Sequence, residues 1–479
     1  MPLIEKIHRT LIALLIGATA GCAVGPNYSK PSANAPAQWS KPLAERATNH
    51  YDSGTAWWTM FHDPELDSLI SRAVATNTDL SVAEVRVREA RAQHGMVRAD
   101  PTPLVDASTS FRKEAQSANQ PLAGDPLLSS GVSFENDVYQ TGYDASWEIG
   151  VFRGKRQATE AATAEVTASE LSRRNVLVSL LGEVARNYVE TRASQRRLSI
   201  AEENIEAQEE ALAIASDRFQ HGLTGELEVK QAASLLAITR SEIPSLESSI
   251  QLSIRRLGVL LAQPPNALLS ELSTVAPIPS SPPEVPVGLP SDLLLRRPDI
   301  QQAERELAAA TAQNGAATTD WFPDVFLTGD AGVQSMGSTD RSSGYSKSWS
   351  FSPTVQWRSF DAGRIRANIR IQDARQEQAL ARYEQTVLTS FEEVENALAS
   401  YADDQVRRRS LTTAVKSRQD ALVLSRNLYA NGRANLLNVL DAERSLYLAE
   451  DSLAQSDQAV TQDLIVLYKA LGGGWEQFS

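Results

Sequence analysis

Cys22 is the one cysteine in 479 residues, and it closes an apolar run from Leu11 to Ala20, with Ala20 and Gly21 directly before it. Lys6 and Arg9 precede the run, so residues 1–21 read as a secretory signal peptide whose cleavage frees Cys22 for acylation. The run is roughly ten residues, too short to cross a bilayer. A lone cysteine is otherwise a core thiol; this context instead predicts a lipid anchor outside the cytoplasm, held firmly because several acyl chains bind where one would not. Ala23 follows, rather than an Asp of the kind that retains lipoproteins at an inner membrane, which favours the outer membrane of a Gram-negative bacterium.

Other chemistry finds no support. His8, His50, His62, His94 and His221 are scattered without ligand spacing, and a single cysteine permits neither a disulfide framework nor a thiolate metal site. Gly-rich phosphate loops, G-x-S-x-G and H-E-x-x-H are missing from the sequence, so no residues are assigned to catalysis, cofactor or metal, and the expectation is a protein that is not an enzyme. The formal net charge is −13, and loss of residues 1–21 (Lys6 and Arg9 against Glu5, net +1) leaves −13 − 1 = −14. A nucleic-acid partner is excluded on that balance. Four methionines provide no Met-rich path for soft metals.

One unit is written twice in this chain. Ala83-Glu84, Ala90, Ala92-Gln93, Gly95, Asp100, Pro103 and Val105 recur 220 positions later as Ala303-Glu304, Ala310, Ala312-Gln313, Gly315, Asp320, Pro323 and Val325. Ala211-Leu212, Gly222, Leu227, Val229, Ala232 and Leu236 recur 210 positions later, from Ala421-Leu422 and Gly432 to Leu446. Two blocks in one order with nearly equal offsets indicate duplication. The halves span 63–263 and 291–471. Between them, 264–290 holds eight prolines and is expected to be an extended linker; 22–62 forms a second strap behind the lipidated N-terminus, and 472–479 a C-terminal tail.

Each half reads as helix, strand, turn, strand and very long helical hairpin. Asp63-Pro64-Glu65 supplies an N-cap, a proline at the first helical position and an acid in the first turn; Thr78-Asp79 and Arg297-Pro298-Asp299 open further helices of about twenty residues. From Val105 the period changes to two. Val105, Ala107 and Phe111 alternate with Asp106, Ser108, Ser110 and Arg112, and segments around Tyr139–Trp147, Val325–Val333 and Trp349–Trp357 behave alike. The β-hairpins therefore fall at about 104–149 and 324–358. Strands of about ten residues suit a membrane barrel or a half-buried soluble sandwich. Four strands are too few to close a barrel, so spanning strands require several copies in one wall.

The helical hairpins, about 155–262 and 363–471, have arms of unequal length. Arg156 to Phe219 contains no proline, and Leu198, Ile205, Leu212 and Phe219 stand seven apart, a spacing that predicts a packing seam. That arm is roughly 90–100 Å long at 1.5 Å per residue. The returning arm, about Leu227 to Leu261, is shorter and carries Pro244, which is expected to interrupt it; the helix from Asp79 to Ala99 has the size to stack on its end.

Over essentially its whole length the chain resembles the TolC-like outer-membrane efflux proteins, in their OprM/NodT-type lipoprotein branch. The resemblance rests on Cys22-Ala-Val-Gly-Pro-Asn-Tyr-Ser-Lys-Pro31, on Trp58, Phe61, Asp63-Pro64, Leu66, Leu69, Asn77 and Asp79-Leu80, and above all on Gly288-Leu-Pro-Ser-Asp-Leu-Leu-Leu-Arg-Arg-Pro-Asp-Ile300. It implies an α+β membrane protein whose homotrimer forms a 12-stranded outer-membrane β-barrel, four strands per chain, continued by a long periplasmic α-helical barrel. It also implies a passive exit duct for small molecules such as drugs, without cofactor, served by a periplasmic adaptor protein and an inner-membrane transporter of the RND type. A polypeptide-secretion duct and a non-conducting structural lipoprotein are the alternatives. By the same resemblance Leu437 and Asp441 form a periplasmic gate with Tyr429 and Arg444 as its latch, and Arg218, Phe219, Gly222 and Gly432 mark adaptor-docking hairpin tips. Without the resemblance, Asp441 and Arg444 are an ordinary i,i+3 pair and both glycines are ordinary helix stops.

Overall fold

The computed structural model describes residues 25–32, 35–39, 47–48, 56–115, 135–279, 285–288, 290–336 and 346–478; Cys22 and the signal segment lie outside them. In chain order the elements are β1 (Ala47–Thr48), α1 (Pro64–Thr76), α2 (Thr78–Ala99), β2 (Leu104–Ala115), β3 (Glu135–Ile149), α3 (Gly154–Gln220), α4 (Glu226–Leu260), β4 (Val285–Pro286), α5 (Pro290–Arg296), α6 (Pro298–Thr318), β5 (Asp324–Met336), β6 (Lys347–Gln356), α7 (Arg364–Ala430) and α8 (Leu436–Ala470). The duplication is plain in the lengths: α3 and α7 each have 67 residues, α4 and α8 each 35. At 1.5 Å per residue the longer arms measure roughly 100 Å.

The chain divides into two compact units, one of residues 1–30, 88–167 and 304–381, the other of 31–87, 168–303 and 382–479. The first holds an antiparallel sheet in the order β2-β3-β5-β6. Its base is fastened by aromatic groups: Phe152 stacks on Phe322 at 4.9 Å, and the indole N–H groups of Trp147 and Trp357 donate to the carbonyls of Pro101 and Trp321 at 2.8 and 3.2 Å. Three residues after Cys22 the N-terminal strap docks on this unit. Gly25 turns with φ 104° against Gly315, where a Cβ would stand 2.8 Å from the Gly315 Cα, and the Tyr28 hydroxyl donates to Glu304.

The outer strands do not show the burial of a soluble sandwich. Nearly every residue of β2 and every residue of β6 is exposed, including Trp349 at 79% and Phe351 at 64%, whereas a half-buried strand hides alternate side chains. Among the described residues, β2 and β6 have no strand partner on their outer edges and are exposed on both faces.

In the second unit, packing centres on Trp57, Trp58, Phe61, Leu66, Leu69 and Ile70 against Leu181, Val184 and Tyr188 of α3, Tyr383 and Tyr401 of α7, and Leu464 and Tyr468 of α8. Trp57 stacks on Tyr468 at 5.4 Å. Asp63 caps α1 as expected, accepting from the Glu65 and Leu66 N–H groups at 3.0 and 3.2 Å, and its second oxygen accepts from the Tyr188 hydroxyl at 2.8 Å.

The long helices pack along stripes with a seven-residue period, but the stripe in α3 differs from the expected one. Its buried positions are Ser194, Ala201, Gln208 and Ala215, each four residues before Leu198, Ile205, Leu212 and Phe219. Three of the four central residues, Ser194, Ala201 and Ala215, are small and let backbones approach, and the large apolar groups fall on the flanks, where Phe219 is 43% exposed. Matching stripes are Ala232, Thr239, Leu246, Ser253 and Leu260 in α4, and Leu440, Tyr447, Ala454, Thr461 and Tyr468 in α8. Pro244 does not interrupt α4: the helix runs through it, one hydrogen bond poorer, because Leu246 and Ile243 are held in a cluster with Ile200, Ala201, Tyr447 and Ala454.

The linker also departs from an extended strap. Residues 264–273 turn on themselves, with Ala267 N–H donating to the Pro264 carbonyl at 2.9 Å and Leu272 N–H to Leu268 at 3.0 Å, and thereby bury Leu268 and Leu272. Only further on is it extended, where β4 pairs in parallel with β1.

A side chain at the same repeat position in each half bonds the end of the returning helix. Asn77 sits between α1 and α2; its Oδ1 accepts from Leu80 N–H at 3.0 Å while its Nδ2 donates to the Leu260 carbonyl at the end of α4, 2.9 Å away. One side chain thus satisfies a helix start and a helix end. At the same place in the second half (77 + 220 = 297) stands Arg297, which donates to the Ala470 carbonyl at the end of α8, 2.9 Å away.

Candidate functional site

The hairpin tips belong to the second unit, and both arise from the same local chemistry. Gly222 and Gly432 have φ of 71° and 70°, a backbone state that side chains disfavour, and open space surrounds both, so conformation alone requires glycine. Gly222 N–H donates to Phe219 and Leu223 N–H to Arg218, at 2.9 and 2.8 Å; Gly432 and Arg433 repeat this on Tyr429 and Leu428 at 3.0 and 2.8 Å. These paired bonds end α3 and α7 by the Schellman arrangement. The return helices start differently: Asn435 caps α8 by accepting from Asn438 N–H at 3.2 Å, while Gly225 offers α4 no side chain.

Behind the turns the two tips share a core of Ala211, Ala215, Ala232, Leu436, Val439 and Leu440. Arg218 lies over the Tyr429 ring, 5.1 Å from its centroid, joining the tip of one half to that of the other. Arg444 donates to Asp441 at 3.1 Å, with both side chains largely exposed. Within the chain, therefore, Tyr429 meets Arg218 and Arg444 meets Asp441; Tyr429 and Arg444 are not brought together. Leu437 is 44% exposed, and with Phe219, Leu223, Leu227 and Leu428 it leaves the tips rich in uncovered apolar groups.

Glu443 escaped the sequence reading. It is 4% exposed and accepts from Arg426 at 2.9 Å, an ion pair bridging α7 and α8 behind the second tip. Burial pushes its carboxyl above the usual range, partly offset by Arg426 and reinforced by Glu210. The counterparts 210 positions earlier are Ser216 and Ala233, so the first half has no such pair. Only the near-mirror placement of Arg426 and Glu443 about the turn signals it in the sequence.

A half-buried acid lies further along the same helices. Burial, together with the facing carboxylate of Asp404, raises Asp463 from 3.8 to about 7. The folded chain thus holds this proton more tightly than the unfolded chain, and stability falls as pH rises from about 4 to about 7. Asp463→Asn is expected to raise the thermal midpoint at pH 8 and to change it little at pH 4; an equal effect at both values would count against the assignment.

The sheet is the other functional surface. Its register places Val105, Ala145, Gly329 and Phe351 in one row, and Ala107, Tyr143, Ala331 and Trp349 in the next, on one apolar face. The opposite face carries Ser108, Gln140, Thr328, Ser350 and several acids. Strands of 10 to 15 residues with one apolar and one polar face have the form of a membrane barrel wall. Among the described residues no helix is long and apolar enough to cross a membrane.

Comparison with known proteins agrees with this architecture. The model of the outer membrane efflux protein family matches residues 69–263 and 289–473, one segment in each half. The chain is 34% identical over 468 residues to the cation efflux system protein CusC of Escherichia coli O6:H1, covering 96% of this chain and 97% of that one. It is 33% identical over 471 residues to the probable outer membrane lipoprotein SilC of Salmonella typhimurium, covering 95% and 96%. Among solved structures, the outer-membrane channel OprN superposes with a TM-score of 0.87 at 34% identity, over 95% of this chain and 100% of that one. With both repeats matched and relatives aligned nearly end to end, the chain belongs to the outer membrane efflux protein family, and its strands and long hairpins are those of an outer-membrane efflux channel.

Proposed function

We propose that this chain is the lipid-anchored subunit of a trimeric exit duct, which passively conducts small molecules received from a periplasmic adaptor and an energised inner-membrane transporter of the RND type. The observation that carries the reading is the four-stranded sheet whose outer strands, β2 and β6, are exposed on both faces and have no strand partner on their outer edges among the described residues. In lipid, every edge N–H and C=O must find a partner, so the outer edge of β2 has to meet the outer edge of β6 in another copy. Three copies give 3 × 4 strands, enough for a barrel with a water-filled interior. Cys22 anchors each copy beside it.

Below the barrel the long hairpins form the duct, and their tips are its periplasmic end. The exposed Phe219, Leu223, Leu227 and Leu428 with the Gly222 and Gly432 turns and Arg218 offer the adaptor an apolar docking rim. Leu437 and Asp441, one turn apart on α8, supply the constriction, with Tyr429 and Arg444 latching neighbouring copies. Three Asp441 carboxylates near one axis repel, and Arg444, already 3.1 Å from Asp441, relieves that repulsion.

Purified protein in planar bilayers tests both levels. The native trimer should resist dissociation in cold SDS and show discrete conductance steps, while Leu437→Ala with Asp441→Ala should raise the open probability severalfold. A protein that stays monomeric and silent would reject the duct; native-like gating in the double variant would reject these gate residues alone.

A further inference from the structure

One helix of the first repeat lacks the covering that its counterpart has. By the 220-residue offset α2 corresponds to α6, and by the 210-residue offset α3 corresponds to α7, the long helices starting at Gly154 and Arg364. Within the chain α6 lies on the start of α3. Ala308 and Ala309 pack in one cluster with Ala164, Gln313 Nε2 donates to Glu165 Oε1 at 2.7 Å, and a Cβ on Gly315 would strike the Gln157 side chain. Residue numbers rise along α6 as they fall along α3, so the two helices run antiparallel. The duplication specifies the same contact for α2 and α7.

In the chain the equivalent positions are bare. Arg88 and Glu89 are exposed where Ala308 and Ala309 are buried, and a Cβ on Gly95 would meet nothing within 4 Å. On α7, Ile371 is 50% exposed where Ala161 is 3%, and Ala374 is exposed where Ala164 is buried. Met96 of α2 is 73% exposed. The polar groups match as well. Glu89 Oε1 accepts from Gln93 Nε2 at 3.3 Å, which leaves the Gln93 amide oxygen and the rest of the carboxylate for another donor. The equivalents of Gln313 and Glu165 are Gln93 and Arg375, and Arg375 is exposed, without an ion-pair partner among the described residues. A glutamine serves both contacts, its amide donating to a carboxylate in one and accepting from a guanidinium in the other.

We infer that residues 88–99 of α2 dock on residues 364–378 of α7 in the next copy, repeating between chains the contact of α6 on α3, with Glu89 and Gln93 receiving that copy's Arg375. The inference rests on the trimeric duct and adds to it the helical faces by which copies meet. The strand order β2-β3-β5-β6 makes a second copy the occupant. α2 leads into β2 and α7 follows β6, so the two bare helices adjoin the two outer strands, while α6 stands between α3 and α7 and bonds both, Asn314 Nδ2 donating to Asp373 and Gln376 at 2.8 Å. When the edge of β2 meets the edge of β6 in the next copy, α2 meets that copy's α7. Side chains lean towards the N-terminus of their own helix, so across an antiparallel pair they lean towards one another, as Gln313 and Glu165 do. Head-to-tail contacts of this kind close into a ring.

Charge exchange and cross-linking in the full chain test the pairing. Glu89→Arg should lower SDS-resistant trimer in outer-membrane fractions severalfold, and adding Arg375→Glu should restore near-native yield, which a merely structural loss would not allow. Arg88→Cys with Ala374→Cys, at the positions equivalent to Ala308 and Ala164, should be joined by a short bifunctional thiol reagent into species of two and three chain masses; either cysteine alone should give none. Cross-linking reads the register directly and decides the outcome should Glu89→Arg fail to fold. An assembled trimer that yields no cross-linked species, or a species whose mass is not a multiple of the chain's, would overturn these faces and leave the duct intact. A native chain that runs as a monomer would overturn both.

Discussion

Arg297→Ala is expected to lower the stability of the folded chain by about 2–3 kcal/mol, less than the ~3–5 kcal/mol of a fully buried pair because the acids it leaves, Asp299 and Glu393, are 24% and 49% exposed. The side chain is 9% exposed and fully engaged. Its Nε and Nη2 donate to the two oxygens of Asp299 at 3.0 and 2.6 Å, and Nη1 donates to the Ala470 carbonyl at 2.9 Å and lies 2.7 Å from Glu393. Burial opposes the charge, but Asp299 and Glu393 more than offset it, so the guanidinium is held above its ordinary range. Alanine would leave the end of α8 without its donor and two acids without their cation. Lysine keeps the charge but cannot form the two-pronged contact, so Arg297→Lys should recover less than half of the loss. Asn77→Ala, at the equivalent position, should cost less, since a neutral amide leaves no stranded charge. Thermal loss of helical circular dichroism in detergent measures all three; equal shifts for Arg297→Ala and Asn77→Ala would refute the charge argument.

Elements with a strong internal period were legible before any coordinates. Strand alternation between Val105 and Arg112 reflects two solvents, lipid and water, and the length of α3 reflects a long stretch without proline. Both are local properties. The centre of the α3 seam is made of Ser194, Ala201, Gln208 and Ala215, whose weak or absent apolar signal is outweighed in the sequence by the large residues four positions on. Pro244 was misjudged because tertiary packing overrides the local helix penalty. At the tips, the turns and their glycines were readable from a helix-stop pattern, but Arg218 beneath the opposite half's Tyr429 was not, since each half alone gives no clue to the other. The polar face of the sheet, where Asp106, Asp144 and Asp330 share a row, is the extreme case. Asp144 and Asp330 become neighbours only when β3 of one repeat pairs with β5 of the other, a register set by the whole sheet.

Phe351→Arg should abolish the trimer in the outer membrane, whereas Ser350→Arg, one residue away, should assemble at near-native yield. Successive strand residues point to opposite faces. Phe351 shares its row with Val105, Ala145 and Gly329, and Ser350 with Asp106, Asp144 and Asp330. An arginine on the lipid face near mid-membrane costs about 2–4 kcal/mol per copy, so about 6–12 kcal/mol for three copies that must insert together. On the other face the same arginine meets lumen water and three acids, and assembly gains a little from relieved repulsion. Quantifying SDS-resistant trimer in outer-membrane fractions distinguishes the two. Equal yields would mean that both faces meet the same solvent, which a spanning wall forbids; loss of Ser350→Arg alone would mean that lipid lies on the acidic face, the reverse of the proposed barrel.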